Sequence, residues 1–87
     1  MAYAVQIKRS ALKALQAIAQ PIRSEIRAAV DSLGVNPRPR GAKLLKGGQR
    51  LFRIRVRDYR VIYRIEEERL LVLVVRVAHR GKAYRRL

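Results

Sequence analysis

Between Leu51 and Ile65 the chain reads LFRIRVRDYRVIYRI, and over its first half apolar and basic residues alternate. Phe52, Ile54 and Val56 fall on one side, Arg53, Arg55 and Arg57 on the other. Successive strand side chains point to opposite faces, so this period of two predicts a strand with one buried and one cationic face. A second run follows the break at Asp58. It sets Tyr59, Val61, Tyr63 and Ile65 on one face and Arg60, Ile62 and Arg64 on the other. The two runs are spaced to pair as a hairpin through a short turn at Arg57–Asp58.

The remaining pattern supports that hairpin. Tyr3, Val5 and Ile7 alternate with Ala4 and Gln6, as in a short strand. Ser10 is placed to cap a first helix, in which Leu12, Leu15 and Ile18 recur at helical spacing. Pro21 interrupts that helix and suits the first turn of a second one, which buries Ile22, Ile26, Ala29, Val30 and Leu33 and ends at Gly34. Asn36–Gly41, NPRPRG, cannot continue a helix or form a central strand and is the main connector. Lys43–Leu45 reads as a short anchoring segment, Gly47–Gly48 and Glu66–Glu68 as turns, and Leu70–Ala78 as a strand covered on both faces. The expected order is β-α-α-β-β-β: a compact two-layer α+β domain spanning residues 1–87, with a helical hairpin on one sheet face. The opposite face, with the arginines, is expected to stay open.

Charge sharpens this picture. Lys and Arg number 21 against 6 Asp and Glu, a net charge of +15, which points to nucleic acid, a ribonucleoprotein or an acidic protein as partner. A hydrophobic fraction of 49 % allows a packed core, so wholesale disorder is excluded. There is no cysteine, and MAYAVQIKRS lacks the long apolar core of a signal peptide. The longest aliphatic run, Leu70–Val75, is far too short to span a membrane. The protein is expected to be cytoplasmic and soluble.

Metal and covalent chemistry find little support. His79 is the single histidine, and no cysteine or carboxylate cluster stands at ligand spacing, so no metal or cofactor is expected. Ser10 and Ser32 have no His–acid constellation nearby, and Gly47–Gly48 is too short for a phosphate loop. What remains is Arg53, Arg55 and Arg60 on the central strands, joined after the last strand by His79, Arg80 and Tyr84. Guanidinium forks suit phosphate, and tyrosine stacks on unpaired bases. Lys46, Arg57, Lys82 and Arg85 are further phosphate-binding candidates.

LLKGGQRLFRIRVRDYRVIYRI, followed by an aliphatic strand and VAHRGKAYR, resembles the RelE/ParE superfamily of toxin–antitoxin toxins. The likeness covers nearly the whole chain, and DYRVIY and the terminal HR…Y are its most specific parts. It implies two helices packed on a mainly antiparallel sheet. In the RelE-like branch it implies cleavage of mRNA in the ribosomal A site, by attack of the ribose 2′-OH on the adjacent phosphate. By position Arg60 and Arg80 match the family's phosphate-binding arginines, and Tyr84 matches its C-terminal tyrosine. Arg53 and Arg55 stand where the RelE type has lysines, one of them a proposed general base. Arginine cannot take that role, so either Arg55 acts electrostatically or another group accepts the proton. His79 is the natural substitute. The resemblance also implies a cognate acidic antitoxin, with the toxin a monomer or part of a toxin–antitoxin hetero-oligomer. Two alternatives stay open: a ParE-like inhibitor of DNA gyrase, and a non-catalytic basic module that mainly binds its antitoxin.

Overall fold

A computed structural model describes residues 2–85. The chain forms β1 (Ala4–Ile7), α1 (Arg9–Gln16), α2 (Ile22–Ser32), β2 (Lys43–Leu44), β3 (Leu51–Val56), β4 (Tyr59–Glu66) and β5 (Leu71–His79). The five strands make one sheet in the order β1-β5-β4-β3-β2, antiparallel throughout except for β1 beside β5. Both helices cover one face. Ala11 and Leu15 of α1, and Ile26 and Val30 of α2, pack with Ile54, Val61, Tyr63, Val72, Val74 and Val77 into the main core. This is the expected α+β architecture.

The N-terminal segment differs in detail. β1 leads into α1 with no intervening loop, because the Lys8 N–H still donates to Val74 O (2.8 Å) while Lys8 occupies the helix cap position. Ser10 therefore lies inside the first turn, and the expected Ser10 cap is not formed. At α2 the corresponding work falls to Gln20, whose Oε1 accepts from the Ser24 N–H (3.0 Å) and hydroxyl (2.7 Å). Gly34 does more than end α2. The Tyr3 N–H donates to Gly34 O, and a Cβ there would lie 2.9 Å from Tyr3 O.

The NPRPRG connector is pinned at three points. Tyr63, fully buried, donates its hydroxyl to Pro37 O at 2.7 Å, and burial pushes its phenol up to about 12. Arg38 sits 5.4 Å over the Phe52 ring, and its Nη2 reaches Glu67 Oε2 at 2.7 Å. Glu67, at the β4–β5 turn, also accepts from the Tyr3 hydroxyl. Leu70 holds a left-handed conformation in that turn, so β5 begins one residue later than its aliphatic pattern indicates.

One irregularity governs what the far face displays. Ile62 pairs with Arg76 but Tyr63 pairs with Val74, leaving Val75 as an extra residue, a bulge. Val72 and Val74 face the helices, and strict alternation would send Arg76 there as well. The bulge reverses the phase. Val77 enters the helix-side core, while Val75 and Ala78 pack against a second cluster, Leu51, Ile62 and Ala83, on the opposite face.

Candidate nucleic-acid interface

β3 and β4 close through a two-residue turn, with Val56 opposite Tyr59 and Arg55 opposite Arg60. Leu45 N–H donates to Leu51 O, so residues 51, 53 and 55 turn their backbone groups toward β2. Arg55 and Arg60 are therefore a non-hydrogen-bonded pair, the closer antiparallel type, with Cα atoms roughly 4.5 Å apart. Both lie on the face away from the helices. On the same face the chain beyond β5 folds back: Ala83 is fully buried against Leu51 and Ile62, and Tyr84 next to it is 47 % exposed. Thus the face expected to be open is partly covered, by the tail itself.

Arg80 N–H donates to Asp58 O at 2.7 Å, extending the β4–β5 pairing one residue past His79. Alternation then sets Arg80 with Ala78 and Arg60 on the tail side. The same pairing corrects the placement of His79. It stands opposite Tyr59, with its ring edge-on to that tyrosine (centroids 5.5 Å, 85°), on the side that faces the helices. His79 is not brought to the Arg55–Arg60 pair.

Two further arginines depart from expectation. Arg53 is only 5 % exposed, and its Nε is buried without a partner among the described residues. It lines, with Arg40, Gly41, Lys43, Ile54 and Arg55, an open cleft of about 340 Å³ at the β3 edge. Arg57 occupies the first turn position with φ +54, where a two-residue hairpin favours glycine. Its guanidinium is turned to α2, with Nε 2.6 Å and Nη2 2.9 Å from the Glu25 carboxylate. That bond holds Glu25 below the usual carboxylate range and raises Arg57. Arg57 is thus a fastener between hairpin and helix rather than part of the cationic face.

Lys46, Lys82 and Arg85 are exposed around the face, Lys46 beside Leu45, Gly47, Gln49 and Leu51. Among the described residues the ion pairs use Glu25, Asp31, Glu66 and Glu67, and none engages Arg53, Arg55, Arg60, Arg76 or Arg80. Sequence reasoning missed Arg76, which the bulge brings to this face. Its Nη1 donates to Ala83 O at 3.2 Å and also to Arg85 O. The basic residue that interrupts the aliphatic run of β5 was the available signal. No group of three or more His, Cys, Asp or Glu side chains among the described residues is placed to hold a metal ion. No described helix is long and apolar enough to cross a membrane.

Fold and face together define a small basic α+β protein whose sheet face away from the helices carries Arg55, Arg60 and Arg76. The family profile "ParE toxin of type II toxin-antitoxin system, parDE" matches residues 5–84, and the chain belongs to that family, within the RelE/ParE superfamily of type II toxin–antitoxin toxins. Solved structures agree on the fold. The archaeal RelE–RelB complex from Pyrococcus horikoshii OT3 matches at TM-score 0.82 and 31 % identity over 95 % of this chain and 100 % of that one. The RelBE2 toxin–antitoxin complex from Mycobacterium tuberculosis matches at TM-score 0.78 and 29 % identity, covering 92 % and 100 % of the two chains. The intact E. coli RelBE complex gives TM-score 0.78 and 25 % identity over 90 % and 96 %. No curated protein matched the chain.

Proposed function

We propose that this toxin is a ribosome-dependent endoribonuclease that cuts mRNA in the ribosomal A site. The observation that carries the reading is the Arg55–Arg60 pair, directly opposed and in no ion pair among the described residues, on the face against which the tail folds. The ribose 2′-oxygen forms a bond to the adjacent phosphorus as the bond from phosphorus to the 5′-oxygen breaks. The 2′-hydroxyl proton passes to water and the leaving oxygen takes one from water, giving a 2′,3′-cyclic phosphate and a 5′-hydroxyl. Negative charge grows on the phosphoryl oxygens, where fixed guanidinium groups stabilise it most. In this mechanism Arg60 and Arg80 hold the scissile phosphate and Arg55 adds positive charge without exchanging a proton. Tyr84 stacks on an adjacent base. Lys46, Lys82 and Arg85 contact flanking phosphates, and buried Arg53 supports the field from beneath. His79, on the other side of the sheet, takes no proton.

The site acts in the cytoplasm, where ribosomes are, and an acidic antitoxin restrains it. Solved relatives include complexes of RelE with RelB, and a +15 net charge favours an anionic partner. A second reading is supported by the family profile itself, which carries the ParE name: binding to DNA gyrase without cleavage. Purified toxin added to programmed ribosomes and, separately, to a gyrase supercoiling assay tests both. Cleavage within the A-site codon with supercoiling unaffected is the expected result. Lost supercoiling with intact mRNA would establish the gyrase reading instead.

A further inference from the structure

The segment after β5 should resist docking. Residues 80–85 carry Arg80, Lys82 and Arg85 and no acid. They fold against a face that already presents Arg60, Arg64 and Arg76, and two clefts flanking Arg76 are lined by further cations at Lys8 and Lys82. Like charges brought together repel, so something specific must hold the tail down. Ala83 is buried, but it contributes only a methyl group. The turn bonds, Lys82 N–H to His79 O and Arg85 N–H to Lys82 O, are local and fix shape rather than position.

Beyond the Arg80 N–H bond to Asp58 O, which ties down only the start of the segment, the connection to the sheet is Arg76. Its Nη1 donates to the carbonyls of Ala83 and Arg85, the residues on either side of Tyr84. Gripping two carbonyls that flank one residue fixes that residue's backbone. A charged donor strengthens each bond, and a planar guanidinium loses little freedom in forming them. The Val75 bulge supplies the geometry, since without it Arg76 would face the helices.

We infer that Arg76 is a positioning residue: it fixes the tail, and Tyr84 with it, over the sheet face that carries the Arg55–Arg60 pair. Its kinetic consequence rests on the nuclease reading, whereas the placement of the ring does not. Two measurements separate these. First, Tyr84→Trp gives the chain a single tryptophan whose acrylamide quenching and anisotropy report tail docking, with Arg76 intact or changed to Met. Docking predicts a slower, less accessible ring with Arg76, and a freer one with Met at that position while the melting temperature stays near that of the parent. Arg76→Lys keeps the charge and loses the fork, and is expected to resemble Arg76→Met.

Second, single-turnover cleavage on ribosome-bound mRNA is measured for Arg76→Met, Tyr84→Ala and the double variant. Misaiming a positioning group predicts a loss of roughly 10–100-fold for Arg76→Met. Because Arg76 acts through Tyr84, the double variant should be no slower than Tyr84→Ala alone. A tryptophan indifferent to Arg76→Met overturns the inference, as does a full rate in Arg76→Lys or a multiplied loss in the double variant, either of which would mean direct charge contact with RNA. If the wild-type chain cuts no mRNA, the nuclease reading fails and the tryptophan measurements still decide the role of Arg76.

Discussion

Arg55 and Arg60 repel one another across a strand pair, and neither has a carboxylate partner among the described residues. Folding gains nothing from that arrangement, whereas a phosphate between the two would relieve it. Arg60→Ala and Arg80→Ala are each expected to lose about 2–4 kcal/mol of transition-state stabilisation, the scale for one preorganised donor. Melting temperatures should stay close to wild type, because neither residue belongs to a core cluster. Single-turnover rates on ribosome-bound mRNA check this, and full activity in both variants would remove the arginines from the mechanism. His79 gives the opposite expectation. With its ring against Tyr59 on the helix side, His79→Gln should leave both the rate and its pH profile unchanged. A loss of ~10²-fold or more, the range for a general acid–base group, would restore His79 as the base.

At the scale of elements, the β3–β4 hairpin is legible because Phe52–Val56 carries a clean period of two. Both helices follow from apolar spacing and Pro21 opens α2 as expected, but α1 ends at Gln16, so Ile18, expected within it, lies in the connection. The phase of β5 is not legible. LVLVV is aliphatic on both faces, so no polar partner marks which side each residue takes, and the bulge at Val75 leaves no trace in the pattern. One unpaired residue therefore moved Arg76 to the tail side and His79 to the helix side. The burial of Arg53 and the turning of Arg57 to Glu25 were likewise hidden, since both depend on residues distant in sequence.

Glu25 and Glu67 fasten elements together, and both carboxyls are held below their ordinary range. Arg57 lowers Glu25, while Tyr3 first and Arg38 second lower Glu67. A carboxylate depressed in the folded state contributes stability that is complete above its unfolded pKa and is lost as pH falls through the folded one. Stability should therefore drop as pH falls below the usual carboxylate range, and a Glu25→Gln/Glu67→Gln variant should show a shallower drop. Both groups are exposed, so added salt should weaken the effect. Acid titration followed by circular dichroism at two salt concentrations measures it, and identical slopes for the two proteins would contradict it. Tyr63→Phe removes the donor to Pro37 O in the interior. It should cost about 1–3 kcal/mol in denaturant unfolding, the price of a buried acceptor left unpaired.

Over the whole molecule, charge is unevenly placed. Glu25 and Asp31 lie on α2, Glu66, Glu67 and Glu68 lie at the β4–β5 turn, and the far end of the sheet carries Arg55, Arg60 and Arg80 with the single acid Asp58 in the hairpin turn. This asymmetry orients the protein on any polyanion, but the face is shallow and offers a flexible strand few fixed contacts. Tyr84 is the one tyrosine more than a third exposed, and Phe52 stacks inward on Tyr63, leaving one ring available to clamp a base. Holding a ribose 2′-oxygen in line with its departing 5′-oxygen is worth several orders of magnitude when a scaffold supplies the geometry. A chain of 87 residues with one such ring does not supply it alone. Free RNA should therefore bind without being cut efficiently. Its affinity should fall with salt at a slope near −0.7 for each phosphate neutralised on a single strand, as for any nonspecific polycation. Under the proposed function the ribosome holds the message near the in-line geometry, so ribosome-bound mRNA should be cleaved at least ~10²-fold faster at equal occupancy. Side-by-side single-turnover measurements on one message, with and without ribosomes, make the comparison. Equal rates would place the whole of catalysis within the toxin and would require an orienting surface that the described residues do not display.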